Sequence, residues 1–320
     1  MRACVLEGPD AKLVYKEVAD PLPGEGEVLV NLHAAALNRR DYWITKGKYP
    51  GIRYPIILGS DGAGVCNGKK VIINPNQNWG NNPAVQDNRY TILGTPFNGT
   101  FAEKITVPKE KVVPAPAHLS DFEAAALPLA GMTAYRALIT KCQPQKGEKV
   151  LVTGVGGGVA LFAVQFALAL GCEVYVTSGS PDKLLNAEEM GVKHGVNYKD
   201  EDWDKQLKEI AGGFDIIIDS AGGPGFSKLI DVANPAARIA MYGGTLGKID
   251  GISPQKMFWK QISWFGSTMA TDEEFHQMVD LVNKHEIVPV VDSVFPLEDA
   301  QKAIDYNGIG KQFGKVVLKI

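Results

Sequence analysis

The sequence predicts an α/β protein in which a doubly wound parallel sheet is inserted into a split β-rich domain. Three observations carry this expectation. A glycine run, Gly154 with Gly156–Gly158, sits between a β-prone run and an apolar helix-forming run. Strand and helix patterns then alternate for about a hundred residues, the order of a covered parallel sheet. Finally, β-type patterns occupy both ends of the 320-residue chain, so the tail is expected to return to the N-terminal part.

Residues 1–115 read as all-β. Short runs such as Val28–Leu32, Lys70–Ile73 and Ala102–Val107 are separated by Gly, Pro and Asn clusters, and only Arg39–Lys46 suggests a short helix. From Ser120 the pattern changes. Ser120-Asp121-Phe122-Glu123 has the S-x-x-E form of a capping box, opening a helix that runs through Ala126. Pro128 interrupts it, and Gly131–Ile139 forms a second helix.

The opening βαβ unit spans Lys149–Thr177. Val150–Val152 is a strand and Val159–Leu170 a buried helix. Gly171 stands where a helix C-terminus favours a residue free to take positive φ, and Cys172–Thr177 begins the second strand. The strict G-x-G-x-x-G/A spacing fails. Gly154-x-x-Gly157-x-x-Ala160 is a looser match, consistent with a pyrophosphate at the helix N-terminus or with a tight turn alone. Helix Pro181–Met190, strand Gly195–Tyr198, helix Asp204–Ala211 and the continuous apolar strand Phe214–Asp219 follow. Helix Phe226–Val232 and strands Arg238–Tyr242 and Ile262–Ser267 complete the sheet. Asp272–Lys284 is helical. The tail carries Val288–Val294 as strand, Leu297–Asn307 as helix and Gly314–Ile320 as strand. The domains expected are therefore 1–115 with 285–320, and 116–284.

A net charge of −3 argues against nucleic acid or an anionic membrane as partner. No apolar run reaches membrane-spanning length, and the start MRACVLEGPD lacks a signal-peptide pattern, which suits a cytoplasmic protein. Cys4, Cys66, Cys142 and Cys172 are far apart with no C-x-x-C, so buried free thiols are expected rather than disulfides or a structural zinc site.

Several stretches in order resemble the medium-chain dehydrogenase/reductase superfamily, and within it the zinc-free quinone oxidoreductase branch. They are LNRRDYW (37–43), LGSDGAG (58–64), AAALPLAGMTAYRAL (124–138), VLVTGVGGGVALFAVQFA (150–167), GFDIIIDSAGG (213–223), YGG (242–244), GSTM (266–269) and QFGKVVLKI (312–320). The resemblance implies a GroES-like catalytic domain from both chain ends, a Rossmann domain between, and an active site in the cleft separating them. Where zinc-dependent members carry a catalytic cysteine, this chain resembles them with Asn38. Where they carry Gly-His-Glu, it has Gly59-Ser60-Asp61. The cysteine-rich lobe of structural zinc is missing, so no metal is expected.

At the end of the second sheet strand, NAD enzymes carry an acidic residue for the ribose 2′-hydroxyl. This chain has Thr177-Ser178-Gly179-Ser180 and then Lys183. Small hydroxyls and a lysine suit a 2′-phosphate, so NADPH is the expected cofactor. The other reading of Lys183 is an ordinary surface helix residue. By resemblance, Tyr198 lies near that phosphate, and Thr133, Gly154, Gly157, Gly158, Val159, Gly243, Ser267, Phe313 and Gly314 are further cofactor contacts. Lys315 is expected at a cofactor phosphate, or else as a solvated strand residue.

The reaction implied is hydride transfer to a quinone or an α,β-unsaturated carbonyl, which accepts hydride without metal assistance when it is oriented and its developing oxyanion is stabilised. The resemblance places Asn38 and Asp41 beside the nicotinamide. Asn38 has the donor for an oxyanion or an ordered water. Asp41 orients a neighbour or simply caps the short helix. Tyr42 and Trp43 form an aromatic wall or belong to the core, and Asp61 is a site residue or a buried turn residue. The amide-rich loop Asn74, Asn76, Gln77, Asn78 and Trp79 sets substrate preference or is plain loop. Two alternatives stand beside this reading. One is an enoyl-thioester (acrylyl-CoA-like) reductase using Arg39, Arg40, Lys46 and Lys48 for the CoA phosphates. The other is a nucleotide-sensing protein with vestigial activity. A homodimer is implied, with the apolar stretch Lys256–Thr268 pairing sheet edges across a two-fold axis.

Overall fold

The computed structural model describes residues 1–320. The chain divides into two compact units, Met1–Met132 with Ala270–Ile320, and Thr133–Met269. The tail does return to the N-terminal part, but the divisions fall elsewhere than the sequence suggested. Residues 116–132 and 270–284 belong to the β-rich unit. Side-chain ties explain this. Asp61 Oδ1 accepts the Leu129 N–H at 2.8 Å, and Lys111 Nζ donates to both Asp272 oxygens at 2.7 and 2.8 Å.

The β-rich unit is built on a seven-stranded sheet. In order, its strands are Val112–Pro114, Lys69–Ile73, Asp61–Cys66, Glu27–Ala36, Lys315–Lys319 and Val291–Pro296, with Lys104–Pro108 also paired to Glu27–Ala36. Glu27–Ala36 is long enough to serve several partners in succession. Its first half pairs with Lys104–Pro108, and Ala34–Ala36 pair with Val317–Lys319 of the tail on one side and Asp61–Ala63 on the other. Three successive alanines, all fully buried, leave room for this crowding. The short helix Arg39–Thr45 follows directly, so Asn38 and Asp61 leave adjacent, antiparallel strands at the same end (Ala36 opposite Asp61). A two-stranded pair, Asn76–Gln77 with Thr91–Ile92, closes the 74–92 loop.

The second unit is the expected doubly wound sheet. Its six parallel strands run in the order His194–Asn197, Glu173–Ser178, Lys149–Val152, Phe214–Asp219, Ala233–Met241 and Ser263–Gly266. Central strands are apolar because both faces are covered. Ile216, Ile217 and Ile218 are fully buried, as are Val150, Leu151 and Val152. The helix Gly158–Ala169 buries Ala160, Phe162, Val164 and Phe166, and Ala160 fills the place of the third motif glycine in the sequence pattern. Chain order reverses at Lys149–Val152, whose neighbours are the second and fourth strands of the sheet as it is built. The crevice at the carboxyl ends of such strands is where ligands bind in open α/β sheets. Helix Pro254–Trp259, capped by Ser253 accepting from the Lys256 N–H, was not expected from the sequence. No helix is long and apolar enough to cross a membrane.

Candidate active site and cofactor-binding residues

The glycine turn lies at that crevice. Gly154 (φ +64°) and Gly156 (φ +130°) adopt backbone conformations that other residues rarely take. Two bonds tie the turn to the second strand: Gly154 N–H to Thr177 Oγ1 at 3.1 Å and Val155 N–H to Thr177 O at 2.8 Å. Gly157 caps the helix with no side-chain acceptor for its first N–H groups, and a Cβ added there would meet no atom within 4 Å. Gly158 and Val159 form its first turn. An open helix N-terminus with unfilled N–H groups suits a phosphate.

Lys183 lies across this turn. A Cβ at Gly156 would fall 2.7 Å from Lys183 Cδ and 3.0 Å from its Nζ. At Gly179 a Cβ would fall 2.7 Å from Tyr198 Oη and 2.9 Å from Lys199 Cε. Tyr198 and Lys199 therefore lie against Gly179, while the Lys183 side chain lies against Gly156 of the glycine turn. Lys199 was missed in the sequence because it lies on the exposed turn after the neighbouring strand. The signal available was its place next to Tyr198.

Ser178 does not match its expected role. It is buried, its hydroxyl donates to Val155 O at 3.4 Å and accepts from Ser180 N–H at 3.3 Å, and it braces the turn rather than facing a phosphate. Ser180 begins the helix Pro181–Glu189 and is half-buried. Asp219 is a second organiser; it stands within the GFDIIIDSAGG stretch (213–223), but no role for it follows from the sequence. Its carboxylate accepts from Thr153 Oγ1 at 2.6 Å and from the Ala221 and Gly222 N–H groups at 3.2 and 2.8 Å. Burial raises its pKa against those three donors. Gly243 approaches Ser220 so closely that a Cβ would lie 2.6 Å from its carbonyl oxygen, and the buried Ser267 hydroxyl has no partner. Thr133 is buried, with its hydroxyl 3.9 Å from Met269 Sδ.

In the β-rich unit, Asn38, Asp61 and Lys315 form a closed triangle. Asn38 Nδ2 donates to Asp61 Oδ2 at 2.8 Å, and Lys315 Nζ donates to Asn38 Oδ1 at 2.7 Å and to Asp61 Oδ2 at 2.9 Å. Asp61 accepts further from Leu129 N–H, and its own carbonyl accepts from Thr100 Oγ1 at 2.8 Å. Asn307 Nδ2 reaches Asn38 O at 3.3 Å. Lys315 therefore departs from its expected role as a cofactor-phosphate contact. It is only 4 % exposed, because its strand runs beside Glu27–Ala36 at the centre of the sheet and its ammonium is taken by a buried carboxylate. Phe313 N–H is held by Asp292 Oδ1 at 2.7 Å, and Gly314 packs where a Cβ would lie 2.6 Å from Val290 O.

Asp41 is fully buried and accepts the Asn38 N–H at 2.7 Å, the helix-capping alternative. Its other oxygen, Oδ1, has no partner. Burial pushes its carboxyl up to about 6, opposed by the Arg40 charge and the Asn38 N–H. An ionised Asp41 thus costs the folded state about 3 kcal/mol relative to an unfolded carboxyl near 3.9. Because the folded pKa is the higher one, the folded state binds the proton more readily. The penalty is present above about pH 6 and fades as pH falls towards 4. Asp41→Asn is expected to unfold at a higher temperature than the parent at pH 8, with that advantage shrinking by pH 5. Thermal unfolding of both across this range checks it, and an advantage independent of pH would contradict the assignment.

Trp43 is half-buried, with the Tyr42 ring edge-on at 5.1 Å and the Lys48 ammonium 5.0 Å from its centroid, so its faces are partly engaged already. The amide loop is mostly tied inward. Asn74 and Asn76 donate to Asp272, and the Trp79 indole to Asn82 O.

Two family models match the chain in series: an alcohol dehydrogenase GroES-like domain over residues 24–117 and a zinc-binding dehydrogenase over 158–284. A zinc-type alcohol dehydrogenase-like protein, YogA, from Leptosphaeria maculans is 37% identical, covering 95% of this chain and 93% of that protein. The chain belongs to the medium-chain dehydrogenase/reductase superfamily. It is also similar to the quinone oxidoreductase of Mus musculus, at 29% identity over 97% of this chain and 94% of that one. A crystal structure described as an NAD-dependent alcohol dehydrogenase superposes with a TM-score of 0.93, at 36% identity and full coverage of both chains. The protein is thus an oxidoreductase of this superfamily, acting on a small molecule.

Zinc, which the superfamily's names imply, does not fit this chain's residues. Asn38 and Ser60 offer an amide and a hydroxyl in place of a thiolate and an imidazole. The one carboxylate, Asp61, already holds an ammonium at 2.9 Å, and no group of three or more His, Cys, Asp or Glu is arranged to hold a metal.

Proposed function

We propose that this medium-chain reductase uses NADPH to transfer hydride to a quinone or an α,β-unsaturated carbonyl without a metal. The observation that carries the reading is the Asn38–Asp61–Lys315 triangle. An internal ammonium neutralises the carboxylate that metal-dependent members would place near their metal, and it leaves no coordination site. Such chemistry needs an acceptor that is electrophilic in itself, which conjugated carbonyls and quinones are. NADPH, when bound, supplies the hydride. The residues present suit it: Gly157 offers an open helix N-terminus to the pyrophosphate, and Lys183, Lys199 and Tyr198 offer two cations and a donor to the 2′-phosphate. Four buried, unpaired cysteines suit a reducing compartment such as the cytoplasm.

The test follows loss of NADPH absorbance with 1,4-benzoquinone, methyl vinyl ketone and an enoyl thioester, before and after exhaustive chelation. Turnover of the quinone or the enone, unchanged by chelation, is expected. No turnover of either, or loss of activity on chelation, would sink the proposal, and turnover of the thioester alone would favour the thioester reductase.

A homodimer belongs to the same proposal. Ser263–Gly266 is an open sheet edge with Trp264 exposed, and Trp259, 80 % exposed, and Phe258 lie on the helix just before it. An unpaired edge beside exposed aromatics suits a second copy of the chain. Light scattering is expected to give twice the 34.5 kDa chain mass, and Trp264→Glu with Trp259→Glu to give monomers. A parent protein that runs as a monomer at micromolar concentration would refute it.

A further inference from the structure

Arg40 is an unusual cation. It is only 8 % exposed, yet it pairs with no carboxylate. Its Nη1 donates to Ser60 Oγ at 2.6 Å and to Leu93 O at 3.1 Å, its Nη2 donates to Thr95 Oγ1, and its buried Nε has no partner. All the acceptors it has found are neutral. A buried guanidinium without an anion is costly, since desolvation is repaid only by an opposite charge or full hydrogen bonding. Asp41 is its sequence neighbour and balances its charge only at longer range, because neighbouring residues on a helix do not face each other.

The surroundings of Arg40 are short of partners in the same way. The Tyr90 hydroxyl is buried and unbonded, and so are Thr91 Oγ1 and Gln77 Nε2 on the paired strands beside it. Buried tyrosine hydroxyls ordinarily find a partner. Among the charged groups around this phenol, Arg40 acts on it most strongly, followed by the Tyr49 hydroxyl and Asp272. Tyr49 covers the guanidinium, its ring centroid 5.3 Å from Arg40 Cζ, and is itself exposed at 37 %. The guanidinium is therefore covered by one exposed aromatic side chain on the exposed turn 46–51.

We infer that Arg40 and the Tyr90 hydroxyl form the subsite that receives the carbonyl oxygen of the acceptor, beneath the Tyr49 ring. The inference rests on the proposed reductase reading and gives it the oxyanion donor that the triangle lacks, since the Asn38 carboxamide is already bound at both ends. Hydride from NADPH, when bound, would add to the β-carbon of an enone, and NADP+ would leave. The C=C pair would become a bond between the α-carbon and the carbonyl carbon, and the carbonyl π pair would move onto oxygen as the enolate. Arg40 and Tyr90 donate hydrogen bonds to that oxygen and keep their protons. A solvent proton added at the α-carbon then gives the ketone. A permanently charged guanidinium stabilises the enolate more than the neutral carbonyl, which is the condition for raising rate rather than affinity.

The decisive variant is Tyr90→Phe. It removes an unbonded buried hydroxyl, so folding should not suffer. With methyl vinyl ketone and NADPH, kcat is expected to fall about tenfold or more while the Kd for NADPH, read by nucleotide fluorescence, stays unchanged. Arg40→Lys is expected to lower kcat further, and benzoate, a stable stand-in for the oxyanion, to inhibit competitively against the acceptor in the parent but weakly in both variants. If the pair holds only a buried water, Tyr90→Phe will keep the parent kcat and benzoate sensitivity, and the inference fails while the reductase reading stands. If the parent reduces no acceptor, the reductase reading fails. Calorimetric titration with benzoate then decides the subsite alone: binding in the parent that Tyr90→Phe weakens supports it, and no binding overturns it.

Discussion

Lys315→Met is expected to destabilise the β-rich unit by about 3–5 kcal/mol, because it leaves the Asp61 carboxylate buried with its countercharge gone. Asp61 is fully buried and cannot turn to solvent, and its remaining donors, Asn38 Nδ2 and Leu129 N–H, are neutral. Asn38 Oδ1 would lose its donor at the same step. The double variant Lys315→Met with Asp61→Asn removes both charges and is expected to recover more than half of the loss, since a missing ion pair costs far less than half of one. Urea unfolding of the four proteins, compared at constant m, measures this coupling. A single variant within about 1 kcal/mol of the parent would mean that water reaches Asp61, and the internal-cation account of the metal-free site would fall with it.

The second large effect concerns the nucleotide. Lys183→Ala is expected to raise KM for NADPH about 10–100-fold and to leave KM for NADH nearly unchanged, since a charge-assisted bond to phosphate contributes about 1.5–3 kcal/mol. Lys199→Ala should act in the same direction but less, because its side chain is exposed and its charge is screened. Tyr198→Phe removes one neutral donor and should cost least. The preference should also weaken as salt rises, as expected for phosphate held by exposed cations. Equal losses with both nucleotides would place Lys183 at the pyrophosphate instead of the 2′-phosphate.

Much of this was legible in residue order. The apolar run Phe214–Asp219 could only be a strand covered on both faces, and the structure begins and ends it there. The Ser120 capping box and the Gly154–Gly158 turn are local signals, written in residues three or four apart, and each formed where expected. What the sequence hid was pairing over long separations. Lys315 and Asp61 are 254 residues apart, and a lysine in a strand near the chain end reads as solvated until the sheet places it beside Glu27–Ala36. Arg40 was hidden for a related reason. The pattern RRDYW suggests charge at a surface, and only the return of Leu93 and Thr95 against the helix buries one arginine and leaves the other outside. Ser178 shows the limit of composition. A small hydroxyl at the strand end suited a phosphate, but this strand is buried on both faces to its last residue, and the hydroxyl braces Val155.

The central claim is a metal-free hydride transfer drawn from NADPH, and the ratio of kcat/KM for NADPH to that for NADH, with one quinone acceptor and chelator-treated protein, tests it most directly. The lysines against Gly156 and Gly179 predict a ratio of at least about 10, falling towards unity in Lys183→Ala with Lys199→Ala. Comparable values for the two nucleotides in the parent would contradict the claim.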